Sequence, residues 1–441
     1  MGVVDLEKLK RRISKTEMLA VQGKVIHASG WVVEAQLPGV AVGTLCDIVT
    51  QNNKTVRAEV VGFSDTTALL MPLGDISGIS AGSVVAPRPN DDVLSVGDAL
   101  IGRVVNATLE PIDGGPDMVL PEKATLKNVP LRAMSRRRIA KPLTTGVKAV
   151  DSCLALGEGQ RICVCAGPGV GKSVLLGMMA KHADAEMFVV GLIGERGREV
   201  REFVERDLGP EGLKNAVVVV ATSDESPLLR VRAAHVATAI AEHWRKKGKK
   251  VVLLMDSLSR VAMALREIGL AAGEPPTTKG YPPSVFAQLP RLVERTGNDE
   301  GQGSITALYT VLAEGDDLSD PVVDCARAAL DGHWVLSRKL ASAGHFPAID
   351  VLASVSRVVT DIVPKAELDV AMLARDVLAS YKEAQDLIEV GAYVSGSNPR
   401  VDRALRVIQP LRSFLQQSPD MRVARDKTLT ELKAVLAGGA K

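Results

Sequence analysis

Five short runs in the middle of the chain are apolar on successive rather than alternate positions: Arg161-Ile-Cys-Val-Cys165, Phe188-Val-Val-Gly-Leu192, Ala216-Val-Val-Val-Val-Ala221, Val251-Val-Leu-Leu-Met255 and Ser304-Ile-Thr-Ala-Leu308. Such runs predict strands buried on both faces of a parallel sheet. Helical stretches lie between them, among them Val174-Leu-Leu-Gly-Met-Met-Ala180. The alternation predicts an α/β domain over residues 146–364, with its ligand at the carboxyl ends of the strands. Over residues 21–95 the texture is different. Short Val-, Ile- and Leu-rich segments are split by glycine, as in Gly23-Lys-Val-Ile-His-Ala-Ser-Gly30 and Val56-Arg-Ala-Glu-Val-Val-Gly62, and they predict a small β-barrel. Residues 96–145 form a Pro- and Gly-rich connecting segment whose Arg136-Arg137-Arg138 reads as a solvated face. Apolar positions at helical spacing over Ala366–Glu389 and Val401–Gln417 predict a terminal helical domain, residues 365–441. Residues 1–20 set Leu6, Leu9 and Ile13 at helical spacing among lysines and arginines. This amphipathic segment reads either as a partner-binding helix or as a solvated, frayed end.

Composition narrows the function classes. In 441 residues, 54 Lys and Arg nearly balance 52 Asp and Glu, so no global field draws nucleic acid or membrane. With aromatic residues at 3%, a surface built on base stacking is disfavoured and no specific nucleic acid partner is expected. The five cysteines, at 46, 153, 163, 165 and 325, form neither an even disulfide framework nor a C-x-x-C pair. Cys163 and Cys165 alternate on an expected buried strand and read as core residues. The chain shows no apolar run of about 18 residues and no secretory leader, which predicts a cytoplasmic protein.

The densest chemistry lies at Cys165-Ala-Gly-Pro-Gly-Val-Gly-Lys-Ser173. Backbone N–H groups wrap phosphate oxygens only where side chains leave room, which accounts for Gly167, Gly169 and Gly171. This P-loop, with Pro168 and Val170 completing the turn, places Lys172 on the β- and γ-phosphates of a nucleotide. It offers the Ser173 hydroxyl to Mg²⁺ and aims a helix N-terminus at the same anion. Ala166 stands where the first glycine of the pattern is usual. Downstream, Val251-Val-Leu-Leu-Met-Asp256 is an apolar strand ending in a carboxylate, the arrangement that supports Mg²⁺ beside a P-loop. Glu195, in Gly194-Glu-Arg-Gly-Arg-Glu199, stands on spacing alone equally as the carboxylate that polarises an attacking water and as a surface charge.

These and further motifs resemble the catalytic ATPase of type III protein export, a family related to the catalytic β subunit of rotary ATP synthases. The resemblance spans about residues 20 to 420. It is carried by Gly194-Glu-Arg-Gly-Arg-Glu-Val200, Met255-Asp-Ser-Leu-Ser-Arg260, Gly273-Glu-Pro-Pro276, Gly280-Tyr-Pro-Pro-Ser-Val-Phe286, Gly303-Ser-Ile-Thr-Ala307, Glu314-Gly-Asp-Asp317, Leu330-Asp-Gly-His333 and Pro347-Ala-Ile-Asp350. It implies a RecA-like P-loop core with a small N-terminal barrel and a C-terminal helical domain. It also implies a homo-hexameric, Mg²⁺-dependent ATPase with sites between subunits. On matching positions, Glu195 becomes the catalytic carboxylate, and Arg196 and Arg260 lie near the γ-phosphate. Arg357 becomes the arginine finger supplied to a neighbouring subunit. Phe346 packs on adenine, with Phe414 as a second wall. Without the resemblance, Arg357 reads as a surface charge and the two phenylalanines as core.

The resemblance further implies a regulatory stator-like protein at the N-terminus, with a central stalk protein, export gate, chaperones and export substrates as other partners. The expected location is the cytoplasmic side of the inner membrane, at the export apparatus. Gly344-His-Phe-Pro-Ala-Ile-Asp350 and Ser354-Val-Ser-Arg357 resemble the flagellar branch. Ala221-Thr-Ser-Asp224 and Leu270-Ala-Ala-Gly-Glu-Pro-Pro276 resemble the virulence injectisome branch. The expectation is flagellar, with the injectisome as alternative. Three departures matter. Tyr381-Lys-Glu-Ala-Gln-Asp-Leu-Ile-Glu-Val390 has no match to the acidic patch by which the rotary β subunit touches its shaft, which argues against a proton-coupled synthase subunit. Trp334 and Lys339 replace the family's expected Ile or Val and Arg. Glu195 is present, which argues against a non-catalytic scaffold. A ring-shaped RNA translocase is disfavoured because Val21–Pro89 holds only Trp31 and Phe63 as aromatics.

Overall fold

The computed structural model describes residues 21–88, 92–313, 317 and 319–438. The amphipathic segment at residues 1–20 and most of the Glu314–Asp317 motif lie outside the described residues. The chain divides into two compact units, residues 1–91 with 267–275 and residues 92–266 with 276–441.

The first unit contains the expected barrel. Its strands are β1 (Gly23–Ser29), β2 (Val32–Gln36), β3 (Leu45–Val49), β4 (Thr55–Ser64), β5 (Thr67–Pro72) and β6 (Val84–Pro87). They close in the order β1-β2-β5-β4-β3-β6, every pairing antiparallel. Closure leaves no free edge. Alternate residues such as Val33, Ala35, Ala58, Val60, Leu70 and Val85 turn inward to form the barrel's own core.

The second unit is built on a nine-stranded sheet. Short strands β7 (Val93–Val96) and β9 (Glu122–Thr125) pair with each other, as do β10 (Pro142–Leu143) and β11 (Leu156–Gly157). The large sheet runs β19-β18-β12-β17-β15-β13-β14-β8, with β16 paired to β17. Its members are β8 (Val104–Asn106), β12 (Arg161–Ala166), β13 (Met187–Glu195), β14 (Ala216–Thr222), β15 (Lys250–Asp256), β16 (Gly297–Asn298), β17 (Ser304–Leu312), β18 (Gly332–Leu336) and β19 (Val355–Ser356). All five apolar runs became central parallel strands, and only the two-residue β16 and β19 run antiparallel to their neighbours. Burial on both faces explains why they read as continuous apolar runs. Cys163 and Cys165 lie on one face of β12, buried, with Sγ atoms 3.4 Å apart.

Two features of residues 96–145 differ from the sequence reading. Val104–Asn106 joins the sheet as an edge strand beside β14; three residues are too few to show a period. The run at 136–138 is not simply a solvated face. The Arg136 guanidinium donates to the Thr296 and Glu294 carbonyls and pairs with the Glu294 carboxylate at 2.8 Å, and Arg137 donates to the Asp299 and Gly303 carbonyls.

Helix Pro227–Lys246 packs across β13, β14 and β15. At the C-terminal end, helices Lys365–Glu389 and Pro399–Leu415 match the expected stretches, and Arg425–Ala437 adds a third. Their apolar faces, including Val377, Ala404, Leu411 and Leu432, share one core with the strands and with helix Lys172–His182.

Candidate functional site

The residues with the strongest chemical signature converge at the carboxyl ends of β12, β13, β15 and β17. After Ala166 the chain turns through Gly169 (φ 77°) and Gly171 (φ 86°) into helix Lys172–His182. Both angles lie in the left-handed region that glycine tolerates. A Cβ at Gly171 would stand 3.3 Å from the Phe346 ring, so the half-exposed Phe346 borders the loop directly. The eleven-residue helix presents its N-terminal N–H groups to the loop, and Ser173 sits in its first turn.

Parallel register assembles the charges. Leu192 of β13 stands opposite Asp256 of β15, which brings Glu195, three residues further along β13, to the same edge. Lys172 Nζ lies 2.5 Å from Asp256 Oδ1 and 3.4 Å from Glu195 Oε1. Thr310, from β17, donates its hydroxyl to the same Asp256 Oδ1 at 2.7 Å. Burial works against the Lys172 charge, but the Asp256 and Glu195 carboxylates outweigh it and raise its pKa. Burial pushes the Glu195 carboxyl up to about 7, and the nearby Asp256 charge adds to the shift. A carboxyl poised near neutrality suits a general base.

Arg260 completes the group. Gly194 has φ 70°, and a Cβ there would come within 2.8 Å of Arg260 Cβ, so this glycine lets the arginine lie against the turn that carries Glu195. Arg260 Nε is buried and has no hydrogen-bond partner. A buried, unpartnered donor of this kind is costly unless a ligand satisfies it.

The remaining candidates are more dispersed. Arg196 follows Glu195 and stands exposed at the start of helix Gly197–Glu202. Phe414 is buried in the core with Lys148 Nζ 5.3 Å from its ring centroid, the surroundings of a core aromatic. Arg357 lies at the other end of the sheet. Its N–H donates to the Asp331 carbonyl, and Asp331 N–H donates to the carbonyl of Arg161, the first residue of β12. A six-residue strand with about 3.3 Å of rise per residue separates it from its own P-loop. Sequence reasoning missed Thr310, which lies just beyond the apolar run it recognised at Ser304–Leu308.

The hydroxyl of Ser173 and the carboxylate of Asp256 are hard oxygen donors, a pair that suits Mg²⁺.

Three family models match the chain in order: the ATP synthase alpha/beta family β-barrel domain over residues 25–88, the nucleotide-binding domain of the same family over 146–356, and the T3SS EscN ATPase C-terminal domain over 363–434. The chain is 46% identical over 438 residues to the flagellum-specific ATP synthase of Pseudomonas aeruginosa, covering 98% of this chain and 97% of the relative. It is 48% identical over 401 residues to the type 3 secretion system ATPase of Sinorhizobium fredii, covering 91% and 89%. Its structure is similar to that of the assembled ATPase EscN of the enteropathogenic E. coli type III secretion system, with TM-score 0.88, 40% identity and coverage of 94% of this chain and 100% of the other. EscN in complex with its central stalk EscO matches at TM-score 0.86, with the same identity and coverage.

Proposed function

Since this chain belongs to the flagellum-specific and type III secretion ATPases of the ATP synthase alpha/beta family, we propose that it hydrolyses ATP between identical subunits of a homo-hexameric ring and thereby energises type III export of flagellar proteins. The observation that carries this reading is the grouping of Lys172, Asp256 and Glu195 beneath the P-loop. ATP enters the loop with its phosphates on the backbone N–H groups and on the N-terminus of helix Lys172–His182. Phosphate oxygens compete for the Lys172 ammonium, which two carboxylates otherwise share. Glu195, released from that ion pair, accepts a proton from the water that attacks the γ-phosphorus. Arg260 donates to the phosphoryl oxygens through the guanidinium whose Nε is buried and unpartnered, and Arg196 extends the positive lining. Phe346 packs against the adenine. Ser173 and Asp256 would hold Mg²⁺, which when bound would supply charge stabilisation to the phosphates of ATP.

Arg357 lies too far along β12 to serve its own loop, which supports its assignment as the finger lent to a neighbouring copy. The relatives support the same assembly, since EscN is known as an assembled ATPase and in complex with a central stalk. A central stalk protein, a stator-like regulator, the export gate, chaperones and export substrates complete the proposed partners, at the cytoplasmic face of the inner membrane. No helix among the described residues is long and apolar enough to cross a membrane. Flagellar and secretion-system relatives match the chain at like identity and coverage, 46% over 438 residues and 46% over 428, so the flagellar assignment rests on the motifs at Gly344–Asp350 and Ser354–Arg357. Deletion of the gene should abolish motility; retained flagella would move the assignment to the injectisome.

Replacing Glu195 by Gln tests the chemistry. Hydrolysis should fall by about 10²-fold or more, the scale of general-base catalysis, while nucleotide binding persists. An unchanged rate would remove Glu195 from the mechanism.

A further inference from the structure

Strand β12 has two ends, and they face different tasks. Its carboxyl end leads into this subunit's own P-loop, and its amino end holds the segment that bears Arg357. That segment, β19, has only two residues, paired with β18 through Gly332↔Ser356 and His333↔Val355. So short a strand fixes little by its ladder alone. Gly332 (φ 152°) makes the approach possible, since a Cβ there would lie 2.4 Å from the Val355 carbonyl oxygen.

Gln160, the residue immediately before β12, supplies the missing constraint. Its side chain is fully buried. Its Oε1 accepts the Gly157 N–H at 2.8 Å, and its Nε2 donates to the Asp331 carbonyl at 3.2 Å and to Ser356 Oγ at 3.0 Å. Gly157 offers only an N–H at this contact, so the carbonyl of the amide must face it and both amide protons are left for the other side. The proton count closes there too. Ser356 donates its own hydroxyl to the Ala155 carbonyl at 3.0 Å, which leaves an oxygen lone pair for Gln160. The Asp331 carbonyl accepts from both Gln160 and the Arg357 N–H.

Asp331 is itself held. Arg161 reaches its carboxylate with the backbone N–H, Nε and Nη2, each at 3.0 Å, and contacts Glu294 with Nη1 at 2.6 Å. Burial opposes the Arg161 charge, but Asp331 and Glu294 outweigh it and hold the guanidinium above its usual value.

We infer that Gln160 is the positioning residue of the Arg357 finger, fixing the residue before the finger and the carbonyl that anchors the finger's own backbone. This rests on the reading of Arg357 as a group lent to the neighbouring subunit. The chemistry that takes place against it is transfer of the γ-phosphoryl group of ATP, where misplacement of a charged group by about 1 Å can cost as much as 10²-fold.

The test is Gln160→Met, which keeps the volume and removes the hydrogen bonds. Its kcat should fall about tenfold, while KM and ATP binding to its own P-loop stay within about twofold of wild type, because the interaction lost acts in the transition state of the neighbour's site. Mixing then separates positioning in trans from a merely structural role. Lys172→Ala chains have a disabled loop but an intact finger, so adding them to Gln160→Met chains should lift the rate above the mean of the two unmixed variants. A kcat equal to wild type, or a loss that mixing does not recover, overturns the inference. A parallel mixture of Arg357→Ala with Lys172→Ala keeps the two levels apart. Failure to recover there overturns the trans-finger reading and this inference with it. Recovery there but not with Gln160→Met overturns the inference alone. Should Gln160→Met fail to bind nucleotide, Ser356→Ala removes one of the same bonds at the surface side, and the same rate loss and recovery are required of it.

Discussion

Both ends of the central sheet are crowded with charge, yet the two crowds are organised on opposite lines. At the amino end most of the charges are closed on one another in ion pairs, although the Nε atoms of Arg245 and Arg327 have no hydrogen-bond partner. Arg295 and Glu242, each almost fully buried, pair at 2.9 Å, and Arg295 also meets His235 Nδ1 at 3.0 Å. Burial and the adjacent guanidinium push that histidine down to about 3, so it stays neutral. Arg161, Asp331, Glu294 and Arg136 form a similar closed set. At the carboxyl end the charges are poised. One ammonium is shared by two carboxylates, one carboxyl sits near neutrality, and one arginine Nε has no partner. Closed networks fix geometry; poised ones leave binding capacity for a ligand.

The largest expected effect tests the closed end. Glu242→Ala leaves Arg295 buried and unpaired and should lower stability by about 3–5 kcal/mol in denaturant unfolding. The paired change Glu242→Leu with Arg295→Met should recover much of that loss; equal destabilisation by both would contradict a closed ion pair. Next is Lys172→Ala at the poised end, which should reduce hydrolysis by at least about 10²-fold, the scale of losing one phosphate-stabilising donor. Calorimetry should show weakened nucleotide binding in the same variant. Intact binding would mean that the ammonium serves the carboxylates rather than the phosphates.

Two smaller effects sharpen the contrast. Because the folded state raises Glu195 from 4.5 to about 7, its contribution to stability is fully present below pH 4.5 and is lost as pH rises through 7. Glu195→Gln should therefore gain on wild type in Tm between those values and level off above them. A constant difference from pH 4 to 8 would show that burial does not perturb this carboxyl. Smallest is Arg198→Ala. Its partner Glu202 lies one helical turn away and the arginine is exposed, so the denaturant midpoint should stay within error of wild type.

How legible each region was in the sequence follows from the range of the interactions that build it. The P-loop, the parallel strands and the barrel are written in local spacing, and Asp256 announces itself by ending an apolar strand. Residue type and motif suggested roles for Lys172 and Glu195, but their shared ion pair arises from strand register, which no local pattern contains. At the amino end almost nothing was readable. Arg136 looked like one member of a solvated basic run because its partner Glu294 is 158 residues away. Gln160 finds Ser356 across 196 residues. Helix Arg425–Ala437 went unnoticed beside two longer amphipathic neighbours. Phe414 reads as core from the residues alone and is buried in the shared apolar cluster, whereas its role as a second adenine wall was implied only by the resemblance.

In the proposed ring each subunit completes the site of the next. This is tested most directly by measuring ATP hydrolysis per chain, in the presence of Mg²⁺, over a wide range of protein concentration, with Arg357→Ala measured alongside. The rate per chain should climb as subunits assemble and fall by about 10³-fold or more in the variant, the scale of an arginine finger. A rate per chain independent of concentration and indifferent to Arg357 would contradict that arrangement.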